Sequence, residues 1–367
     1  MPEPLKNLYD EALIDALAAA VGEELPTFDG AAFKTRIFAD PWPDLELKER
    51  MARVTECLGR FLPPDYGRAL AVLKPVSSRF SGFEHMYFPG FVERFGLDAF
   101  EPSMDALAHV TRFSSSEFAV RPFILRYGER MMGQMARWAR DENHHVRRLA
   151  SEGCRPRLPW AMALPAFQAD PEPVLEILEL LRHDPSEYVR RSVANNLNDV
   201  SKDHGDRVLE LVRRWADEGV DAKLIKHACR TLLKQGRSDA MTFFGFTAPE
   251  HLALRRLTVE PSVRLGESLS FAFELVSSGG PIGKVRLEYG VDFLKKNGRR
   301  SRKVFKISEV TVDGPRRLVE RRHPIKPITT RTYYPGEHGL AVLVNGRELG
   351  TASFRLDMEP GAEPNGG

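Results

Sequence analysis

Acids that stand among small polar residues at the edge of an apolar run are where chemistry is most readily built, and three segments of this chain have that character. Phe113-Ser114-Ser115-Ser116-Glu117-Phe118 places Glu117 after three serines and just before a helical run. Serine followed by a first-turn glutamate is also an ordinary capping arrangement, so Glu117 has a structural reading as well. Ser151-Glu152-Gly153-Cys154-Arg155-Pro156-Arg157-Leu158-Pro159-Trp160 stops a helix at Gly153 and Pro156, then presents two arginines and a tryptophan on a stiff loop. Guanidinium groups match phosphate geometry, and an indole offers a flat face to a base or sugar. Val193-Ala194-Asn195-Asn196-Leu197-Asn198-Asp199-Val200-Ser201-Lys202-Asp203-His204 crowds polar groups where a helix is expected to close. Asparagine favours helix ends, which explains part of this cluster but not its density.

The residue types also exclude chemistry. His204 has no second histidine or acid at a ligand spacing, so no metal centre and no cofactor are expected. A metal-dependent nuclease or phosphodiesterase would need clustered carboxylates at such spacings. Cys57, Cys154 and Cys229 are far apart and form no C-x-x-C pair, which reads as reduced structural thiols.

The elements that must position these segments show a recurring unit. Val120-Arg121, Val146-Arg147-Arg148, Val189-Arg190-Arg191 and Ile225-Lys226 repeat an aliphatic residue followed by a basic one, 26, 43 and 36 positions apart. Helix pairs stacked at about 35 to 47 residues make a HEAT-like solenoid with a long concave face. Asp184-Pro185-Ser186-Glu187 reads as a helix start with Asp184 as the cap, and that helix is expected to end near Leu197. The arginines of the repeats have two readings: phosphate contacts, or a ladder to acids such as Asp141 and Asp184 in neighbouring repeats.

Beyond Gly245 the period changes from helical to alternating. Five β-rich blocks, among them Leu269–Leu275 and Leu340–Val344, alternate with turn signals such as Asn297-Gly298 and Asn345-Gly346. About seven short strands without intervening helices predict an Ig-like sandwich. The fold class is therefore a multidomain chain, an all-α HEAT-like-repeat solenoid followed by an all-β Ig-like sandwich. The expected boundaries are 1–246, 247–358 and a Gly/Pro/Glu-rich disordered tail at 359–367.

Charge separates along the same boundary. From Leu252 to Asp357 there are 20 Lys and Arg against 11 Asp and Glu, a balance of +9, so the remaining 33 bases and 40 acids leave −7. A basic module joined to an acidic one points to a polyanionic partner held unevenly. The start of the chain lacks a basic segment followed by an apolar run, and no stretch reaches the roughly 20 apolar residues of a membrane span. A cytoplasmic protein with no membrane contact is expected.

The segments around Glu117, Glu152–Trp160 and Asn196–His204, with Leu45-Glu46-Leu47-Lys48-Glu49-Arg50-Met51 and Phe88-Pro89-Gly90-Phe91-Val92-Glu93, resemble the AlkC group of the AlkC/AlkD superfamily of HEAT-like-repeat DNA glycosylases. The resemblance covers roughly residues 5 to 245. It implies excision of cationic alkylated bases, chiefly 3-methyladenine and 3-methylcytosine, from duplex DNA as the first step of base-excision repair. It further implies that Glu117, Glu152 and Asp199 are acids at the lesion and that Trp160 contacts its deoxyribose. Arg147, Arg148, Arg155, Arg157, Arg190 and Lys202 are the expected backbone contacts. The family is expected to bend the duplex without lodging the base in a deep pocket.

The chemistry is self-consistent. An N3-alkylated base is already a cationic leaving group, so carboxylates need only stabilise an oxocarbenium-like sugar and position a water. No lysine Schiff base is required, which predicts a monofunctional enzyme, and because asymmetric duplex DNA does not demand a symmetric dimer a monomer is expected. In the sandwich, Lys295, Lys296, Arg299 and Arg300 are the expected DNA contacts, alongside the Arg316-Arg317 and Arg321-Arg322 pairs. A catalytically inert HEAT-repeat scaffold for DNA or protein is the alternative.

Overall fold

The computed structural model describes residues 4–328 and 331–358, and the 359–367 tail lies outside them. The chain divides into two compact units, Met1–Ala228 and Cys229–Gly367. Among the described residues, no helix is long and apolar enough to cross a membrane.

The first unit is helical, and the recurring aliphatic residues are what it packs around. Val120, Val146, Val189 and Ile225 are all buried. The His144–Gly153 helix packs against the Glu187–Val200 helix, which in turn packs against Ala222–Ala228. The ladder reading of the repeat arginines is realised in matching form at two levels. Arg147 pairs with Asp184 at 2.6 Å and donates to the Asp141 and Glu142 carbonyls. Arg190 pairs with Asp221 at 3.2 Å and donates to the Asp184 and Pro185 carbonyls. Asp141, Asp184 and Asp221 each accept from the backbone N–H two residues on, at 2.8 Å. One acid thus shapes the turn into its own helix, and Asp184 and Asp221 also anchor the arginine of the preceding repeat.

Two helix boundaries differ from expectation for this reason. Asp184 is not the cap: its carboxylate takes the Ser186 N–H, and the helix runs from Glu187 to Val200 with Ser186 at the N-cap. Asn195, Asn196 and Asn198 therefore lie inside the helix rather than at its end. Asn196 is tolerated there because its amide reaches across to the Ser151 carbonyl at 2.8 Å.

The second unit begins earlier than residue 247, because two short helices, Arg230–Lys234 and Ser238–Phe243, group with the sheets. Lys284 donates to the Phe244 carbonyl at 2.7 Å, and Asn345 donates to that of Thr247 at 2.8 Å. Eight strands follow: β1 (Leu252–Val259), β2 (Ser262–Arg264), β3 (Ser268–Ser277), β4 (Gly283–Leu294), β5 (Arg300–Val312), β6 (Arg316–Pro324), β7 (Gly336–Val344) and β8 (Arg347–Asp357). They form a three-stranded sheet ordered β1-β3-β6 and a five-stranded sheet ordered β2-β8-β7-β4-β5. Phe271, Phe273, Val285, Leu287, Val342 and Phe354 belong to the core that joins them. Asn345 and Gly346, at φ 49° and 79°, make the tight turn between β7 and β8 that the Asn-Gly pair predicts.

Candidate active site

The three acids singled out in the sequence come from three separate places, a turn and two helices, and one chain of ion pairs joins them. Glu117 precedes the Val120–Tyr127 helix, Glu152 sits near the end of His144–Gly153, and Asp199 near the end of Glu187–Val200. Arg148 is ion-paired to Glu117 and lies 3.6 Å from Glu152. Arg155 continues the chain, 2.6 Å from Glu152 and 2.8 Å from Asp199. Lys202 closes it at 2.9 Å from Asp199. Three carboxylates are matched by three cations, so the cluster is charge-balanced while largely shielded from water.

Hydroxyls complete the network. Ser192 donates to the second oxygen of Glu152 at 2.7 Å, and Ser115 donates to Glu117 at 2.7 Å. Ser115 thus serves the acid instead of capping a helix, since the Val120–Tyr127 helix has no side-chain cap. Burial alone would lower the Arg155 guanidinium, yet Glu152 and Asp199 outweigh it and hold the group above its usual range. Arg148 behaves in the same way between Glu152 and Glu117, with its guanidinium 5.1 Å from the centre of the Tyr188 ring.

The loop after Gly153 owes its shape to Arg121, which in sequence is only the basic residue of one recurring unit. Arg121 is fully buried and donates to the carbonyls of Gly153 at 3.0 Å, Arg155 at 2.9 Å and Met162 at 2.8 Å. Lacking a carboxylate partner, its guanidinium is lowered by burial to about 10. Gly153 must be glycine for the same packing, because a Cβ there would lie 2.5 Å from Val120 Cγ2. Trp160 emerges from this clamped loop in the left-handed region at φ 64° and is 60% exposed. An indole held this way costs about 1–3 kcal/mol and marks a site where surroundings impose the conformation. Its ring meets Phe83 edge-on at 6.0 Å, and its carbonyl accepts from Lys48.

The structure sorts the remaining cations predicted to touch DNA. Arg147 and Arg190 are committed to the repeat ladder, and Arg148 and Arg155 to the acid chain. Arg157 is partly exposed and forks onto Asp203 at 2.8 and 2.9 Å. Lys202 also remains partly exposed. In the second unit, the side chains of Lys295, Lys296 and Arg299 are exposed at the β4–β5 turn and have no hydrogen bond or ion pair among the described residues, while Arg300 pairs with Glu337 at 2.7 Å. The His204 ring Nε2 lies 2.7 Å from the Gln168 carbonyl. Among the described residues no group of three or more His, Cys, Asp or Glu is placed to hold a metal. All three cysteines are free and buried, with the Cys154 and Cys229 thiols pushed up by burial to about 12.

A helical repeat that gathers acids, arginines and an exposed tryptophan, followed by an Ig-like sandwich, defines the class of helical-repeat alkylation-repair proteins. Residues 110–232 match the family described as "DNA alkylation repair enzyme", and residues 253–358 match "Uncharacterised protein YhaZ, C-terminal Ig-like domain". The protein YhaZ of Bacillus subtilis (strain 168) is 43% identical over 96% of this chain and 99% of its own length. The solved structure of Pseudomonas fluorescens alkylpurine DNA glycosylase AlkC, bound to DNA containing an abasic site analog, is 39% identical, with a TM-score of 0.92 over 97% of this chain and all of its own. The chain belongs to the AlkC-type DNA glycosylase family of the AlkC/AlkD HEAT-like-repeat superfamily, in the form that carries a C-terminal Ig-like domain.

Proposed function

We propose that this chain is a monofunctional DNA glycosylase that hydrolyses the N-glycosidic bond of cationic alkylated bases, 3-methyladenine and 3-methylcytosine, in duplex DNA. The observation that carries the reading is the unbroken ion-pair chain from Glu117 through Arg148, Glu152, Arg155 and Asp199 to Lys202. A structural ladder needs one arginine per repeat, and Arg147 and Arg190 already supply it. A second buried array beside an exposed indole has no packing requirement to explain it.

The reaction asks little of an acid catalyst. As the C1′–N bond breaks, its electrons neutralise the cationic base and positive charge moves to the sugar. Carboxylates stabilise that charge, the Trp160 face adds a cation–π contribution, and water adds to C1′ as a carboxylate takes its proton. Arg148, Arg155 and Lys202 hold the acids in place, so little reorganisation is left for the transition state. Arg157 and Lys202, together with Lys295, Lys296, Arg299 and Arg300 of the sandwich, are the side chains we assign to the DNA backbone.

Base release from methylated duplex DNA, with chromatographic identification of the freed base, tests the reading. Wild type should release alkylated base, and Glu152→Gln should lose at least about 100-fold in single-turnover rate with its fold retained. DNA binding without base release by wild type would favour a non-catalytic scaffold instead.

A further inference from the structure

A cavity of about 460 Å³ lies among the Gly30–Phe38, Leu47–Phe61 and Tyr87–Phe95 helices, and no residue of the acid chain lines it. Arg36, Arg53, Arg60 and Arg94 face it against a single carboxylate, Glu56. The local balance is thus +3, within the part of the chain that carries −7. Its volume falls inside the roughly 300–1,000 Å³ of small-ligand sites.

Helix geometry accounts for some of these arginines. Arg36, Arg60 and Arg94 stand in the last turns of their helices, where a cation complements the carbonyl end of the helix dipole. That explains one arginine per helix. It does not explain Arg53, in the middle of Leu47–Phe61, or the meeting of all four at one space. Two of them are already engaged: Arg94 pairs with Glu56 at 3.0 Å, and Arg53 donates to the Ala39 carbonyl at 3.3 Å. Arg36 and Arg60 are exposed and have no hydrogen bond or ion pair among the described residues.

The walls sharpen this field. Burial pushes the Cys57 thiol up, and Arg53, Arg36 and Arg60 pull it part of the way back, so three guanidiniums act on one spot. Gly59 lets the Phe95 ring rest directly on the Leu47–Phe61 helix, because a Cβ there would strike the ring. Phe95 remains 41% exposed and gives the cavity an apolar side. A recess of one charge sign with low-dielectric walls focuses its potential on a counter-ion.

We infer that this cavity is a phosphate site, in which Arg36 and Arg60 supply the free guanidinium forks while Arg53 and Arg94 reinforce the charge. Guanidinium forks match phosphate oxygens in pairs, and an anion relieves the repulsion among four like charges held together. Two sources share this chemistry, a phosphodiester of a bound strand and a free phosphate compound.

The test titrates inorganic pyrophosphate into the full chain by calorimetry, for wild type and for Arg36→Gln/Arg60→Gln. Wild type should bind it and melt at a higher temperature in its presence, and the double variant should bind at least about tenfold more weakly. Without ligand the variant should melt no lower than wild type, because neither arginine has a partner to lose. Equal affinity in the two folded proteins, or no binding by wild type, would overturn the inference. Repeating the wild-type titration with saturating undamaged duplex separates the sources. Loss of the Arg36- and Arg60-dependent binding assigns the site to a strand phosphate, and its retention assigns the site to a free phosphate compound. No arm reads base release, so failure here would leave the glycosylase reading standing.

Discussion

A single guanidinium decides more about the candidate site than any of the acids themselves. Arg121 holds three carbonyls of the 153–162 loop, and through them the positions of Arg155 and Trp160. Burying a cation without a carboxylate is unfavourable, so its value lies in the three backbone acceptors that would otherwise be stranded. Arg121→Met preserves much of the apolar stem but removes every donor. We expect it to destabilise the chain by about 3 kcal/mol and to lower base release beyond what lost stability explains. Denaturant melts and single-turnover rates on the still-folded fraction check both parts, and an unchanged midpoint would show that the loop holds itself.

The acids are held at the scale of helices, and close approach of those helices sets the geometry. The His144–Gly153 helix ends where the Val120–Tyr127 helix passes, and the contact leaves no room for a side chain at Gly153. Gly153→Ala improves helix propensity yet drives a methyl into Val120 Cγ2, so overpacking should win by about 1–3 kcal/mol. If the melting temperature instead rises, the two helices have more freedom than this packing implies. The Asp184 and Asp221 steps work at the same scale, because each fixes a turn and one face of the helix stack together.

Over the whole molecule the charge is divided, with +9 on residues 252–357 and −7 on the rest. An acidic catalytic unit attracts a cationic base but not the polyanion that carries it. In the proposed function the exposed cations of the β4–β5 turn offset that repulsion, and counterion release would make their contribution measurable. Replacing Lys295, Lys296 and Arg299 together by alanine should weaken duplex binding and flatten the slope of log K against log salt by about 2 to 3. Stability should hardly change, since none of the three side chains has a partner among the described residues. A slope equal to wild type would remove the sandwich turn from the DNA interface.

Periodicity determined the two architectures in advance, because burying an aliphatic stripe every helical turn, or every second residue of a strand, leaves a mark in any one sequence. The turn pairs Asn297-Gly298 and Asn345-Gly346 were legible for the same local reason, since few residues accept a positive φ. β6 was hidden, because four of its nine residues are arginines and only Val319 and His323 are buried. Glu117, Glu152, Asp199 and Trp160 stood out by residue type and by resemblance, but their union depends on cations supplied from elsewhere in the chain. That Arg148 joins the acids while its neighbour Arg147 serves the ladder is invisible in the sequence, where the paired arginines of a repeat look alike. Arg121 was legible only as the basic residue of a repeat, with nothing local to show that it holds a loop, and Ser192 carried no local signal at all. Their partners lie 32 to 41 residues away for Arg121 and 40 residues away for Ser192. Only tertiary packing chooses such partners, because it alone decides which polar groups lose water together and must then satisfy one another.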